Sequence, residues 1–366
     1  MFRMFLMRWC LPSLILIVLC AAPGWAKAVN YEAAFSLGTA ASQRAADLLE
    51  ADWSAQEAIV LTNAGYARPG EHSSRGCLDG LARATGTSVG ASTLLRLQAR
   101  FDQPLWFAFY LQDSGRCAYL QLDSEQAAQA LSGRGAGKPA FALEQTARID
   151  ADSLLNNTAS FQAECQKGLF GGNVFRVVTA ANAAAAHCPD ELVTAIEVHD
   201  HYCPGVTSGV LLVQFIRDRL FPNDPQANCF VLGLDPWCKE DALTTLLNAT
   251  PGKRGYGVLY PDKEQVAAWP EPLNRACTAV FVQQQGRPWQ GWILGFDFAK
   301  AKKLYSGPKS DSTILNKLNM DLWFLDYLDQ PETFVSVLKT MTLETGQSPK
   351  MLLKPGIDPV AVLAGM

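Results

Sequence analysis

The sequence predicts an α+β fold of two related domains, each a mainly antiparallel sheet packed with helices, followed by a C-terminal extension. Runs of apolar residues with helical spacing alternate with strand-like runs, and each half of the chain contains one hairpin pattern. The order of these patterns is the same in both halves, which indicates an internal repeat. A chain of 366 residues is long enough for two or three domains.

The first 26 residues have the pattern of a secretory signal peptide. Arg3 and Arg8 precede an apolar run over residues 9–22, and small residues around Ala26 offer a cleavage site. The apolar run is too short for a comfortable membrane span, and nothing later is long and apolar enough to cross a bilayer. We therefore expect an exported, periplasmic protein with no stable membrane span in the mature chain.

The charge balance argues against a nucleic-acid partner. The formal net charge is -4, and removal of the signal peptide takes away two arginines and makes it -6. A mildly acidic chain without a basic block lacks the electrostatic footprint that nucleic acids require. The high apolar share, 49%, permits large buried cores.

The repeated elements follow the same order in each half. The first half is predicted to have a helix over 40–50, a strand over 58–62, a helix start at Cys77 and a hairpin over 106–123. The second half is predicted to have a helix over 210–220, a strand over 229–232, a helix start at Cys238 and a hairpin over 278–297. The predicted organisation is a signal peptide (1–26), a degenerate domain (27–131), a linker with helical segments (132–190), a metal-binding domain (191–300) and the extension (301–366), with a helix over 320–327.

Three good transition-metal ligands lie within five residues, at His199, His201 and Cys203. Imidazole and thiolate bind zinc and also suit copper, nickel or iron. In an extended segment, side chains two residues apart lie on one side of the backbone, so these three are expected to point the same way. The competing interpretation is a pair of polar histidines beside a disulfide-bonded cysteine, since an exported chain meets an oxidising compartment.

Further candidates follow in the second half. His201 and Cys203 are the strongest ligand candidates, followed by Cys238 and then His199. Cys238 can reach them if its helix packs beside the helix that starts near Gly205, and a helix start stabilises a thiolate. Asp241 lies one helical turn later, where it either orients a ligand histidine, acts as a general base on metal-bound water, or has no chemical role. Thr250 and Lys253 lie in a glycine-bearing turn and are weaker candidates for holding an anionic cofactor group; ordinary turn chemistry also explains them.

The second half resembles the FmdE-like family, which takes its name from formylmethanofuran dehydrogenase. The resemblance covers about residues 190–300, with a weaker copy over 30–130, and implies an α+β domain with a metal, usually zinc, at the cysteine and histidine positions. The family's usual glycine between the two histidines is Asp200 here. The family name reflects operon context and implies no activity. The matching residues are His199, His201, Cys203, Pro204 and Gly205, then Cys238, Asp241 and Ala242, and then Thr250, Gly252 and Lys253.

The sequence thus predicts an exported FmdE-like protein with one site for zinc or another divalent transition metal, which either acts on or binds a small ligand. Two alternatives remain open: a non-catalytic carrier or sensor of a metal or metal-cofactor, and a disulfide- or redox-active exported protein. A link between Cys203 and Cys238 would favour the last. The sequence does not decide whether the protein is an enzyme, and a homodimer is compatible with it.

Overall fold

A computed structural model describes residues 23–133, 139–221 and 224–366. The predicted signal peptide therefore lies outside the described residues except for its last four positions, which begin the first helix. Within the described ranges, no helix has both the length and the apolar character that crossing a membrane would require.

The elements alternate along the chain as the sequence predicts. The helices are α1 (Pro23–Leu49), α2 (Cys77–Thr85), α3 (Ser124–Leu131), α4 (Ala151–Asn156), α5 (Thr158–Gln166), α6 (Val174–Ala185), α7 (Asp190–His199), α8 (Pro204–Phe215), α9 (Lys239–Leu246), α10 (Lys263–Ala268), α11 (Phe298–Leu304), α12 (Thr313–Phe324) and α13 (Pro359–Gly365). The strands are β1 (Ala58–Thr62), β2 (Leu94–Arg96), β3 (Trp106–Leu111), β4 (Arg116–Gln121), β5 (Leu143–Arg148), β6 (Asn228–Leu234), β7 (Tyr256–Leu259), β8 (Ala276–Gln283), β9 (Gln290–Phe296) and β10 (Val335–Thr342).

These strands form two five-stranded sheets with equivalent topology. The first has the order β2-β1-β3-β4-β5 and the second the order β7-β6-β8-β9-β10. In each sheet the first pair is parallel and the other three pairs are antiparallel. The predicted α+β class with mainly antiparallel sheets is therefore confirmed.

Successive residues of β1 point into two different hydrophobic cores. Ile59 and Leu61 of β1 belong to a central cluster that also contains residues of α6, α7, α8 and α12. Ala58 and Val60 instead pack with α1 and α2 on the other face of the first sheet. This two-residue period is what a strand covered on both faces produces. Val231 of β6 enters the same central cluster, so one helical layer lies against both sheets.

The first helix is longer than predicted. Residues 30–38, which were expected to precede it, lie inside α1. A glycine is needed at position 38 because the backbone of α2 lies against it. A Cβ at this position would lie 2.3 Å from the carbonyl oxygen of Cys77. The apolar helical spacing over 210–220 lies in a helix that begins at Pro204, as expected from the block that ends at Gly205, and residues Ile216–Leu220 form a π-helical turn.

Both sheets take their fifth strand from segments outside the predicted repeat. β5 comes from the predicted linker, and β10 comes from the C-terminal extension. The extension also supplies α12, which packs against α6 and α8. Since α7 packs against both α8 and α9, the end of α7 and the starts of α8 and α9 meet in one place.

Candidate metal centre

The predicted ligands lie where α7 ends and α8 begins. His199 is the last residue of α7, and Asp200 has the left-handed conformation, with φ 70° and ψ -2°. Cys203 is extended, and Pro204 is the first residue of α8, where its missing N–H is not needed. The expectation of a continuous extended segment was therefore wrong: a helix end and a sharp turn, not strand alternation, direct the side chains.

The turn brings the three side chains together. Candidate ligand atoms of His199, His201 and Cys203 all lie within 4.8 Å of one another. Nε2 of His199 is 3.9 Å from Sγ of Cys203, and the two imidazole centroids are 4.3 Å apart. Tetrahedral zinc with bonds of about 2.0–2.3 Å separates its ligand atoms by about 3.5 Å. The donor types and their spacing fit a transition metal with only small side-chain movements.

Each imidazole is held by a carboxylate. Nδ1–H of His199 donates to Oδ2 of Asp241 at 2.7 Å, and Nδ1–H of His201 donates to Oδ1 of Asp200 at 2.8 Å. Arg176 of α6 pairs with the other oxygen of Asp200 at 2.9 Å. Because Nδ1 is used in both rings, Nε2 is the nitrogen left for an ion. Carboxylate–histidine pairs of this kind fix the tautomer and raise the basicity of a metal-binding imidazole.

Cys238, the other predicted ligand, lies at the N-cap of α9; it is outside the 4.8 Å group but interacts with two of its members, Cys203 and His199. Hydrogen bonding to Cys203 and then to His199 lowers the pKa of Cys238 to about 4. The same bond to Cys238, together with burial, raises the pKa of Cys203. In His199, burial lowers the pKa, but hydrogen bonds to Asp241 and Cys238 outweigh it and raise the pKa to about 9. These shifts favour a thiolate at Cys238 next to the imidazole of His199.

A glycine allows Cys238 to approach. A Cβ on Gly205, in the first turn of α8, would lie 2.7 Å from Cβ and 3.1 Å from Sγ of Cys238. Real Cβ atoms do not tolerate the shorter of these distances, so any larger residue here would displace Cys238.

The loop between α7 and α8 is held in place by contacts with α6. The N–H of Tyr202 donates to the hydroxyl of Thr179 on α6 at 3.1 Å, and the ring of Phe175 lies 4.8 Å from that of His201. A cavity of about 330 Å³ adjoins the cluster and is lined by Asp200 and Arg176, together with polar side chains of the first half. The histidines are partly exposed, whereas Cys203 is 4% exposed, so an ion here would be close to the surface.

The weaker candidates, Thr250 and Lys253, make contacts within their own turn. The ammonium group of Lys253 donates to Oδ1 of Asn248, and Thr250 precedes a short 3₁₀ turn, Pro251–Lys253. These contacts lie within the turn itself, so their role toward an anionic cofactor group stays a prediction. All eight cysteines in the described part of the chain, including Cys203 and Cys238, are free thiols.

Sequence reasoning missed two partners of the cluster, Asp200 and Arg176. A carboxylate between two histidines, at a position where glycine was expected, was the available signal for Asp200. Arg176 comes from the predicted linker, and nothing in the sequence relates it to the histidines.

Comparison with known proteins identifies this part of the chain. Residues 198–302 match the family model described as FmdE, molybdenum formylmethanofuran dehydrogenase operon. The match begins one residue before His199 and includes Cys203, Cys238 and Asp241. This segment, which carries the His/His/Cys cluster, is therefore similar to the FmdE family. No curated protein matches the chain.

Proposed function

We propose that this FmdE-like domain binds one zinc ion through His199, His201, Cys203 and Cys238, in a protein exported to the periplasm. The observation that carries the proposal is the pair of imidazoles whose Nδ1 atoms are held by carboxylates while both rings lie against a buried thiol. Structural polar clusters seldom provide two such pairs beside a thiol, whereas zinc sites regularly do.

The donor set favours zinc over harder ions. Two imidazoles and two thiols are a common zinc ligand set, while magnesium and calcium prefer oxygen ligands. When bound, zinc would either fix the junction of the three helices or polarise a small ligand that reaches it. Asp241 and Asp200 would orient the imidazoles in both cases, and Arg176 would hold Asp200 in place.

We also propose that residues 27–131 are a degenerate copy of the same domain. The equal strand order of the two sheets supports this. The helix pairs support it as well, because each half has a glycine where two helices cross. A Cβ on Gly38 of α1 would lie 2.3 Å from the carbonyl oxygen of Cys77 in α2, and a Cβ on Gly209 of α8 would lie 2.6 Å from that of Lys239 in α9. In the first half, Asp79 accepts a hydrogen bond from the hydroxyl of Tyr31, not from a histidine. Such a copy would keep the scaffold without the ligands.

Elemental analysis of the full chain purified from its exported compartment tests the proposal. We expect stoichiometric zinc in the wild type and very little in the His201→Ala and Cys203→Ala variants. His72→Ala is the matched control, because His72 lies in the first half, and it should keep its zinc. Equal metal content in all four proteins would refute the site.

A different result would favour the redox alternative. The side chains of Cys203 and Cys238 interact with each other, so a disulfide between these two cysteines is the competing structure to test. Peptide mapping that finds them joined in the native exported protein, together with an absence of metal, would replace the zinc proposal with a thiol–disulfide function.

A further inference from the structure

Asp321 on α12 is a buried carboxylate without a partner. Its side chain is 0% exposed, and neither carboxylate oxygen has a hydrogen-bond partner among the described residues. Folded proteins rarely leave a buried carboxylate unsatisfied, because an unpaired charge in an apolar interior is strongly disfavoured. This side chain therefore requires an explanation.

The main chain of Asp321 is tied to the metal-site loop. The hydroxyl of Tyr202 donates to the carbonyl oxygen of Asp321 at 3.0 Å, and it accepts a hydrogen bond from the hydroxyl of Thr207, also at 3.0 Å. Tyr202 stands between His201 and Cys203 in sequence and is itself fully buried. The helix that carries Asp321 is thus hydrogen-bonded to the residue that lies between two candidate ligands in the chain.

The charged neighbours of Asp321 do not supply the missing partner. Burial raises the pKa of Asp321 well above its ordinary value; the charge of Lys317 lowers it, and that of Cys238 raises it further. Asp321 in turn raises the pKa of Cys203. Lys317 lies one turn earlier on α12 with its ammonium group 5.0 Å from the ring of Phe175, and it forms no ion pair with Asp321 within the described structure. The helix α12 packs against α8, which begins at Pro204 directly after Cys203, and no basic side chain in the described residues is hydrogen-bonded to the carboxylate of Asp321.

We propose that Asp321 supplies a carboxylate oxygen, through one bridging water, to the cation held by His199, His201 and Cys203; the oxygens of Asp321 are not part of the 4.8 Å group that those three residues form. The bridging water would donate to an unpartnered oxygen of Asp321, and the positive charge of the ion would offset the repulsion between the carboxylate and the thiolates. Asp321 lies outside residues 198–302, so the C-terminal extension would contribute a residue to the metal site of the FmdE-like domain. This inference rests on the proposed zinc function.

The Asp321→Asn variant of the full chain provides the test. Its zinc affinity, measured by competition with a chromophoric chelator, is expected to fall about tenfold or more, as for other residues that support metal ligands. The melting temperature of the zinc-free variant should equal or exceed that of the zinc-free wild type, because the substitution removes an unpaired buried acid. Asp326→Asn, an exposed acid in the same extension, should change neither property.

Three outcomes separate the possibilities. Unchanged zinc affinity in Asp321→Asn, with zinc bound normally by the wild type, would overturn this inference and leave the proposed function intact. A zinc-free variant that melts well below the zinc-free wild type would also overturn it, because Asp321 would then have a purely structural role. A wild-type protein that binds no zinc would refute the proposed function itself.

Discussion

Nδ1 of His199 lies 2.7 Å from Oδ2 of Asp241, which is 42 positions further along the chain. The bond joins the last residue of α7 to the first turn of α9, and it turns Nε2 of the same ring toward Cys203. It thus couples the packing of two helices to the orientation of a candidate ligand.

Removing the carboxylate of Asp241 should weaken zinc binding without unfolding the protein. We expect the zinc affinity of Asp241→Ala to fall about 10- to 100-fold, the range found when partners of metal-binding histidines are removed. Asp241→Asn should lose less, because its amide oxygen still accepts from Nδ1–H. Chelator competition measures both values.

The control for Asp241 is Asp218→Ala, which removes an exposed carboxylate from the turn that follows α8. Its affinity should equal that of the wild type. If Asp241→Ala also binds zinc like the wild type, Asp241 has no part in the site.

Replacing Asp200 with glycine should change the melting temperature and the zinc affinity in different ways. Asp200 has φ 70°, a conformation that costs most non-glycine residues about 1–2 kcal/mol. Glycine relieves this strain but removes the acceptor for Nδ1–H of His201. We expect Asp200→Gly to melt, without zinc, at the wild-type temperature or above, and to bind zinc more weakly.

Asp200→Asn is the companion variant, since asparagine tolerates the left-handed conformation and keeps an acceptor oxygen. Its zinc affinity should lie between those of the wild type and Asp200→Gly. A glycine variant that binds zinc as tightly as the wild type would show that the carboxylate does not orient His201.

Adding one methyl group at Gly205 should damage the site. The new Cβ would lie 2.7 Å from Cβ of Cys238, and overpacking of this kind costs about 1–3 kcal/mol. We expect Gly205→Ala to lower both the melting temperature and the zinc affinity, because Cys238 must move. Gly252→Ala is the matched control: no heavy atom lies within 4 Å of its added Cβ. Equal melting temperatures and zinc affinities of the two variants would contradict the close approach of Cys238 to Gly205.

Zinc should protect two particular thiols. In the zinc-loaded protein, Cys203 and Cys238 are expected to resist alkylation, and Cys238 should become reactive when a chelator removes the ion. Cys165 is a part-exposed internal control whose labelling should not depend on zinc. Peptide mass spectrometry measures all three thiols, and labelling of Cys238 at the same rate with and without zinc would exclude it as a ligand.

The candidate ligands could be predicted because they lie close together in the chain. His199, His201 and Cys203 fall within five residues, so any compact conformation keeps them near one another. Their local geometry could not be predicted in the same way. The left-handed residue that ends α7 is an aspartate, and the sequence has no glycine or asparagine there to signal a helix end.

The most distant contributions could not be predicted at all. Arg176 contacts Asp200 from α6, and Asp321 lies on α12, which packs against both α6 and α8. The hairpins of both sheets were predictable from alternating apolar residues, but the edge strand β5 was not. Its sequence, Leu-Glu-Gln-Thr-Ala-Arg, is polar and half exposed, and its place in the sheet depends on pairing with β4.

X-ray absorption at the zinc edge of the loaded full chain tests the central claim most directly. Binding by the imidazoles and thiols predicts nitrogen scatterers at about 2.0–2.1 Å together with sulfur scatterers at about 2.3 Å. A shell of oxygen and nitrogen without sulfur would contradict the account, because the ion would then lie away from Cys203 and Cys238.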